Sequence, residues 1–250
     1  MMRWKWNKRR YITFLPDMIT FFNLFSGFLS ILMTARGEIK TAAWLTAMSF
    51  IWDSLDGNIA RIFKNPNSLG RELDSLADMV SFIVAPAFFA ARFLLPHQSS
   101  WMFLPLFFYL AAGAYRLARF NIRAPIKQYF EGLPTPAAAI ALNMTLLACV
   151  KNGWTDPSLF TFVAVAFLML ISFLMVSQVR YPKLSAIRFS KWQLLFYLGF
   201  VLYVVAFMNF NAETALASVF LLFVFLAPIY GLPSHLPQHE NERSSPQTAR

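Results

Sequence analysis

The sequence predicts an all-α, polytopic integral membrane helix bundle, and three observations carry that expectation. Apolar residue types make up 58% of the 250-residue chain and charged types only 14%, whereas soluble domains carry roughly 25% charged residues. Mean hydropathy is +0.51. The apolar residues gather in runs close to the ~20 residues that a spanning helix needs. Together these describe about eight transmembrane helices rather than several soluble domains.

The elements follow in chain order. Residues 1–15, "MMRWKWNKRRYITFL", are basic and rich in tryptophan, which suits a juxtamembrane segment at an anionic surface. The apolar run behind them is too long for a secretory signal and has no small-residue cleavage site, so a retained first span is expected at 16–35. Further spans are expected at 40–62, 73–95, 100–120, 134–152, 157–178, 192–209 and 213–232. "NPNS" (65–68), "LPHQSS" (95–100), "APIKQYFEGLPTP" (124–136) and "RYPKLS" (180–185) interrupt the helical pattern between them. Residues 234–250, polar and proline-containing, read as a disordered tail.

The net charge of +10 acquires meaning once it is placed. With the N-terminus in the cytoplasm, the basic clusters near Arg9, Arg61, Arg123, Arg180 and Arg243 all fall on the cytoplasmic side. Only Arg36, Lys40, Arg92 and Lys151 fall outside. That asymmetry sets the orientation in a cell (inner) membrane, with N- and C-termini cytoplasmic. It also accounts for the basic charge without nucleic acid. The single Cys149 cannot form an internal disulfide. His97, His235 and His239 lie outside the apolar runs, so neither zinc nor a histidine triad is expected.

One stretch departs from this lipid-adapted pattern: "WDSLDGNIARIFKNPNSLGRELDSLAD", residues 52–78. At about 100° per helical residue, Asp53, Asp56, Gly57 and Ala60 share one face of the second helix. Asp74 and Asp78, four apart, share a face of the third. An antiparallel hairpin would let all four carboxylates converge at the cytoplasmic end. Each acid in a membrane segment costs roughly 2.5–3.5 kcal/mol at the bilayer centre, less near the interface. Four together also repel one another. Arg61 and Arg71 offset only part of this, whereas a pair of divalent cations would offset it fully. Oxygen-only ligands suit Mg²⁺, Mn²⁺ or Ca²⁺, and two such ions about 4 Å apart clamp phosphoryl groups in displacement reactions. Gly57 and Gly70 lie beside the acids. A helical glycine costs about 1 kcal/mol relative to alanine, so it serves either close approach of a flat ligand or tight helix packing.

The run Asp53-x₂-Asp56-Gly57-x₂-Ala60-Arg61-x₈-Gly70-x₃-Asp74-x₃-Asp78 resembles the complete signature of the CDP-alcohol phosphotransferases. "GRELDSLADMVSFIVAPA" (70–87), "YRLARFNI" (115–122), "GLPTPAAA" (132–139) and "LMVSQVRYPKL" (174–184) are similar to its phosphatidylserine synthase branch, CDP-diacylglycerol–serine O-phosphatidyltransferase. The resemblance covers about residues 11–185. Ile83 departs from it, since that branch often has glycine after "SF". The implied organisation is a six-span catalytic core at 16–185 and two additional spans at 186–233.

The resemblance implies that Asp53, Asp56 and Asp74 hold two Mg²⁺ or Mn²⁺ ions. Asp78 would complete the metal site and act as general base. Gly57, Ala60, Arg61 and Gly70 would accommodate the nucleotide end of CDP-diacylglycerol. The acceptor would be L-serine, CMP would leave, and a homodimer in membrane lipid is implied. Serine's hydroxyl is a weak nucleophile at neutral pH and needs a positioned base. Its carboxylate calls for a cation, and Arg116, Arg119, Arg180 and Lys183 are the candidates, each also explicable as topogenic charge. Asn121 either contacts substrate or ends a helix, Asn23 suits interhelical hydrogen bonding, and Glu131 suits an ordered loop. Other acceptors (glycerol phosphate, inositol phosphate, choline), an ether-lipid CDP donor and a cation transporter are the competing readings. Against the last, the acids cluster at one end and no inverted repeat is evident.

Overall fold

The computed structural model describes residues 8–63, 68–95, 100–122, 129–154, 156–182 and 211–226. The helices are α1 (Lys8–Ala35), α2 (Ile39–Phe63), α3 (Ser68–Asp78), α4 (Ala85–Leu94), α5 (Phe103–Ile122), α6 (Thr135–Lys151), α7 (Pro157–Val176) and α8 (Asn211–Leu226). A π-helical turn, Met79–Val84, joins α3 to α4, so one helical rod runs from Leu69 to Leu94. Three stretches are long and apolar enough to cross a membrane: Asp17–Ala35, Leu69–Leu94 and Pro157–Val176. Helices α6 and α8 are shorter but apolar. Helices α2 and α5 have spanning length, but α2 carries Asp53 and Asp56, and α5 carries Arg116 and Arg119. The first six expected spans each coincide with one of these rods. The span expected at 192–209 and the tail at 234–250 lie outside the described residues, as do residues 1–7.

One feature adds to the all-α expectation. Tyr129–Glu131 (β1) pairs antiparallel with Arg180–Pro182 (β2), Glu131 lying opposite Arg180. Both strands fall in stretches read from sequence only as breaks between helices. Gly132, at φ +77°, turns the chain from β1 toward α6. A Cβ there would lie 2.8 Å from the Arg119 guanidinium, so both the left-handed backbone and the space require glycine.

The core has α6 at its centre. Ala137 to Leu142 and Leu146 to Ala148 are all buried, and a helix covered all round sits inside a bundle. Helix α1 packs along α2 on one side and along the α3–α4 rod on the other. Gly27 makes the second contact possible, because a Cβ there would lie 2.6 Å from Ser81 Cα. On α5, Gly113 leaves the space that the fully buried Ile83 fills, and a Cβ at Gly113 would lie 2.7 Å from Ile83 Cδ1. The departure at Ile83 is thus packed against a glycine on the neighbouring helix. Helix α7 opens with Asp156 as N-cap, its side chain accepting from Leu159 N at 2.9 Å, and with Pro157 at the first helical position.

Helix α8 is fastened at both ends. Glu213, almost fully buried, pairs with Lys151 at 2.7 Å and Lys40 at 3.4 Å. Near the other end, Tyr181 packs on Phe223 with ring centroids 5.7 Å apart and donates to the Val224 carbonyl at 3.2 Å.

Candidate active site

Asp53 and Asp56 project from the last third of α2, and Asp74 from α3. One oxygen from each lies within 4.8 Å of the other two. Helix α1 packs against both α2 and α3, which make no extended contact with each other among the described residues. The simple two-helix hairpin expected from sequence is therefore corrected: α1 braces both helices, and the carboxylates meet across a gap. A Cβ built on Gly57 would meet nothing within 4 Å. Among the described residues, no neighbouring helix packs on the Gly57 Cα, which lies beside the acids.

The fourth acid differs from the other three. Asp78 lies one turn beyond Asp74 and outside their oxygen group. Its Oδ1 accepts a 3.0 Å hydrogen bond from Asn23 Nδ2 on α1. Helix α1 thus supplies a neutral partner to the fourth carboxylate. Asp53 and Asp74 still lie within electrostatic reach of it. One turn earlier on α1, Thr20 Oγ1 donates to Asp56 Oδ2 at 2.9 Å.

The three converging acids carry no Lys or Arg ion pair among the described residues. Asp74 Oδ1 is buried with no hydrogen-bond partner. Clustered carboxylates with an orphaned, desolvated oxygen are unfavourable unless a cation joins them. The donor set is oxygen only, so a hard divalent ion fits it.

The basic candidates separate in the structure. Arg116 is buried at 7% exposure, with Nη1 donating to Thr135 Oγ1 at 3.2 Å and Nε without a partner. Asp53 and Asp78 lie within its electrostatic reach. Arg119 is occupied elsewhere. Its Nη1 donates to the Val176 carbonyl at 2.8 Å, and its Nη2 to those of Glu131 (2.9 Å), Met175 (3.3 Å) and Ser177 (3.3 Å). It caps the C-terminal carbonyls of α7 and ties them to β1. Arg180 is exposed on β2. Gly70 lies half-buried on the first turn of α3. The side chains of Ala60 and Arg61, and all of Lys183, lie outside the described residues.

Asn121 does more than end α5. It accepts from Ser75 Oγ at 3.0 Å, and its amide faces Glu72 Oε2 at 3.5 Å, tying α5 to α3. Asn23 forms the interhelical bond expected of it. Thr20 and Thr135 escape a reading of the sequence for site residues. The available signal was the spacing of Thr20, Asn23, Gly27, Ser30 and Thr34, a stripe of polar and small residues along one α1 face.

An oxygen-only acidic cluster that could hold a metal ion lies at one end of this apolar helix bundle, a donor set compatible with metal-assisted phosphoryl chemistry. The model of the CDP-alcohol phosphatidyltransferase family matches residues 13–171, and the chain belongs to that family. It is 30% identical over 219 residues to a CDP-diacylglycerol–serine O-phosphatidyltransferase of Helicobacter pylori, covering 87% of this chain and 84% of the relative. A Saccharomyces cerevisiae protein of the same name is 37% identical over 155 residues, or 56% of this chain and 55% of the relative. An archaetidylserine synthase of Methanothermobacter thermautotrophicus is 32% identical over 179 residues, or 70% of this chain and 72% of the relative. Family membership replaces the cation-transporter reading.

Proposed function

We propose that this chain transfers the phosphatidyl group of CDP-diacylglycerol to the hydroxyl of L-serine and releases CMP. The reaction takes place at the cytoplasmic face of the inner membrane. The observation that carries this reading is the cluster of aspartates beside Gly57, with Asp53, Asp56 and Asp74 converging and Asp78 one turn on. The relatives' names supply the substrates, and the site supplies chemistry that suits them.

Asp53, Asp56 and Asp74 would hold two divalent ions, Mg²⁺ or Mn²⁺, with Asp78 at the edge of that site. Such ions supply charge stabilisation to the phosphoryl and leaving-group oxygens. Gly57, Ala60, Arg61 and Gly70 leave room for and hold the cytidine end. Asp78 accepts the proton of the serine hydroxyl as that oxygen bonds to the phosphatidyl phosphorus and the bond to CMP oxygen breaks. Arg116, whose buried Nε has no partner, receives the serine carboxylate, while Arg180 and Lys183 serve the approach. The enzyme works as a homodimer with about eight spans and both termini in the cytoplasm.

An acceptor screen tests this reading. Purified protein is given CDP-diacylglycerol with serine, glycerol phosphate, inositol phosphate or choline, and CMP release is followed. Serine is expected to react best, and reaction with another alcohol but not serine overturns the assignment. The archaetidylserine synthase relative favours one addition, an ether-linked CDP donor in parallel, because the headgroup machinery would be the same.

A further inference from the structure

We infer that Pro86 and Tyr109 together build the π-helical turn from which the acids of α3 are aimed, and that Tyr109 is a positioning residue for the metal-binding carboxylates although it lies on α5, outside the acidic stretch. The inference rests on the metal-dependent reaction proposed above.

Pro86 gives the turn its cause. In a regular α-helix the Phe82 carbonyl would receive the N–H of the residue four places on, and that residue is Pro86. Proline has no N–H, and its ring would press on the same carbonyl. The rod widens instead. Met79–Val84 is a π-helical turn, closed where the Ala85 N–H reaches back five residues to the Val80 carbonyl. Proline and π-helical turns are recognised causes of such a departure from a straight helix. Widening relieves the ring but does not return the lost α-helical donor. Tyr109 supplies one from another helix: its Oη donates to the Phe82 carbonyl at 2.9 Å, and both residues are fully buried.

Three consecutive residues of the turn are held by neighbouring helices. Ser81 Oγ donates to the Asn23 carbonyl on α1 at 2.9 Å. Phe82 takes the Tyr109 hydroxyl. Ile83 fills the space left by Gly113, which is one turn beyond Tyr109 on the same face of α5. Of these contacts, the one at Phe82 engages a backbone group of the turn itself, so it favours the π-helical path over the α-helical one directly. The acids of α3 leave from this turn: Asp78 is the residue before it and Asp74 lies one turn earlier. Asp74 brings its oxygen to within 4.8 Å of those of Asp53 and Asp56, which stand on another helix. Metal–ligand distances hold to within about 0.2 Å, so a rearranged turn disturbs ion binding as well as transfer.

The test uses the full chain in detergent or nanodiscs. Mn²⁺ affinity of the resting protein is read by electron paramagnetic resonance, apart from any turnover. CMP release gives kcat and KM, and thermal unfolding gives Tm. Tyr109→Phe keeps the ring and removes the donor. It is expected to weaken Mn²⁺ binding and to lower kcat, each by about 3–10-fold, the worth of one intramolecular hydrogen bond, while KM for the acceptor stays at the wild-type value. Pro86→Ala returns an N–H four residues after Phe82. In that background Tyr109→Phe should change Mn²⁺ affinity by less than about twofold, because the two substitutions act on one carbonyl. Should folded Pro86→Ala bind no Mn²⁺, the Mn²⁺ affinity of Tyr109→Phe alone decides, its loss supporting the inference and its persistence overturning it. Equal losses from Tyr109→Phe in both backgrounds overturn the inference, since the hydroxyl then acts elsewhere than at Phe82. So does a lowered Tm with unchanged Mn²⁺ affinity, which marks packing alone. Mn²⁺ binding is read without substrate, and kcat ratios are taken with whichever acceptor the wild type uses, so failure of serine strikes the proposed reaction and leaves the Tyr109 comparison decisive.

Discussion

Helix α2 has an acid site near each end, and the two are built on opposite rules. At its start, Lys40 joins Lys151 around the buried Glu213, so a single carboxylate receives two ammonium groups. Toward its end, Asp53 and Asp56 meet Asp74 with no direct ion pair among the described residues, the buried Arg116 guanidinium lying only within electrostatic reach of Asp53. Their neutral support includes the Thr20 hydroxyl and the Gly57 backbone, both at Asp56, with Asn23 serving Asp78. Burying a carboxylate is unfavourable unless something compensates it. The Glu213 cluster supplies its compensation from within the chain. The aspartate site lacks that compensation, which is the physical sense in which it is made to receive a cation.

The largest effect should come from emptying the aspartate site. Chelation is expected to abolish CMP release, with Mg²⁺ or Mn²⁺ restoring it. Asp53→Ala, Asp56→Ala and Asp74→Ala should each remove both turnover and Mn²⁺ binding, measured by titration. Turnover that persists in excess chelator would erase the contrast between the two acid sites.

Asp78→Asn comes next. Loss of a general base typically lowers rate by about 10²–10⁴-fold, and Mn²⁺ binding should fall far less than in the other aspartate variants. Arg116→Ala should raise KM for the acceptor roughly 10–100-fold, as expected when a charge-assisted hydrogen bond of about 1.5–3 kcal/mol is removed. KM for the CDP-lipid should change little. An unchanged acceptor KM would remove Arg116 from the acceptor site.

The smallest effect on catalysis belongs to the other end of α2. Glu213→Gln should lower stability by about 1–3 kcal/mol, less than a wholly buried pair, because both lysines are partly exposed. Thermal unfolding should show the loss while CMP release per folded molecule stays near wild type. A large fall in kcat with an unchanged melting temperature would mean that the two ends are not independent.

The sequence made half of this comparison legible. The acids declare themselves because carboxylates are so rare in apolar runs, and their i, i+3 and i, i+4 spacing places them on helix faces without further information. The helices likewise follow from apolar runs of spanning length. What escaped depends on contacts distant in sequence. Nothing near Glu213 signals that Lys40 and Lys151 will surround it. Arg119 reads as a free cation until the end of α7 and β1 arrive beside it. The bracing of α2 and α3 by α1 is tertiary, and only the stripe from Thr20 to Thr34 hinted at it. The β1–β2 ribbon is three residues per strand, too short for an alternating pattern to register.

The π-helical turn at Met79–Val84 begins at the residue after Asp78. Such a turn holds one residue more than an α-helical path would, and each residue is worth about 100° of rotation. Removing a single residue from this turn would return the rod to regular α-helix. It would also swing Asp74 and Asp78 by roughly a quarter turn relative to Phe89 and Leu94, which are anchored in the bundle. The angular phase between the reactive tip of this rod and its embedded shaft is thus set by one inserted position.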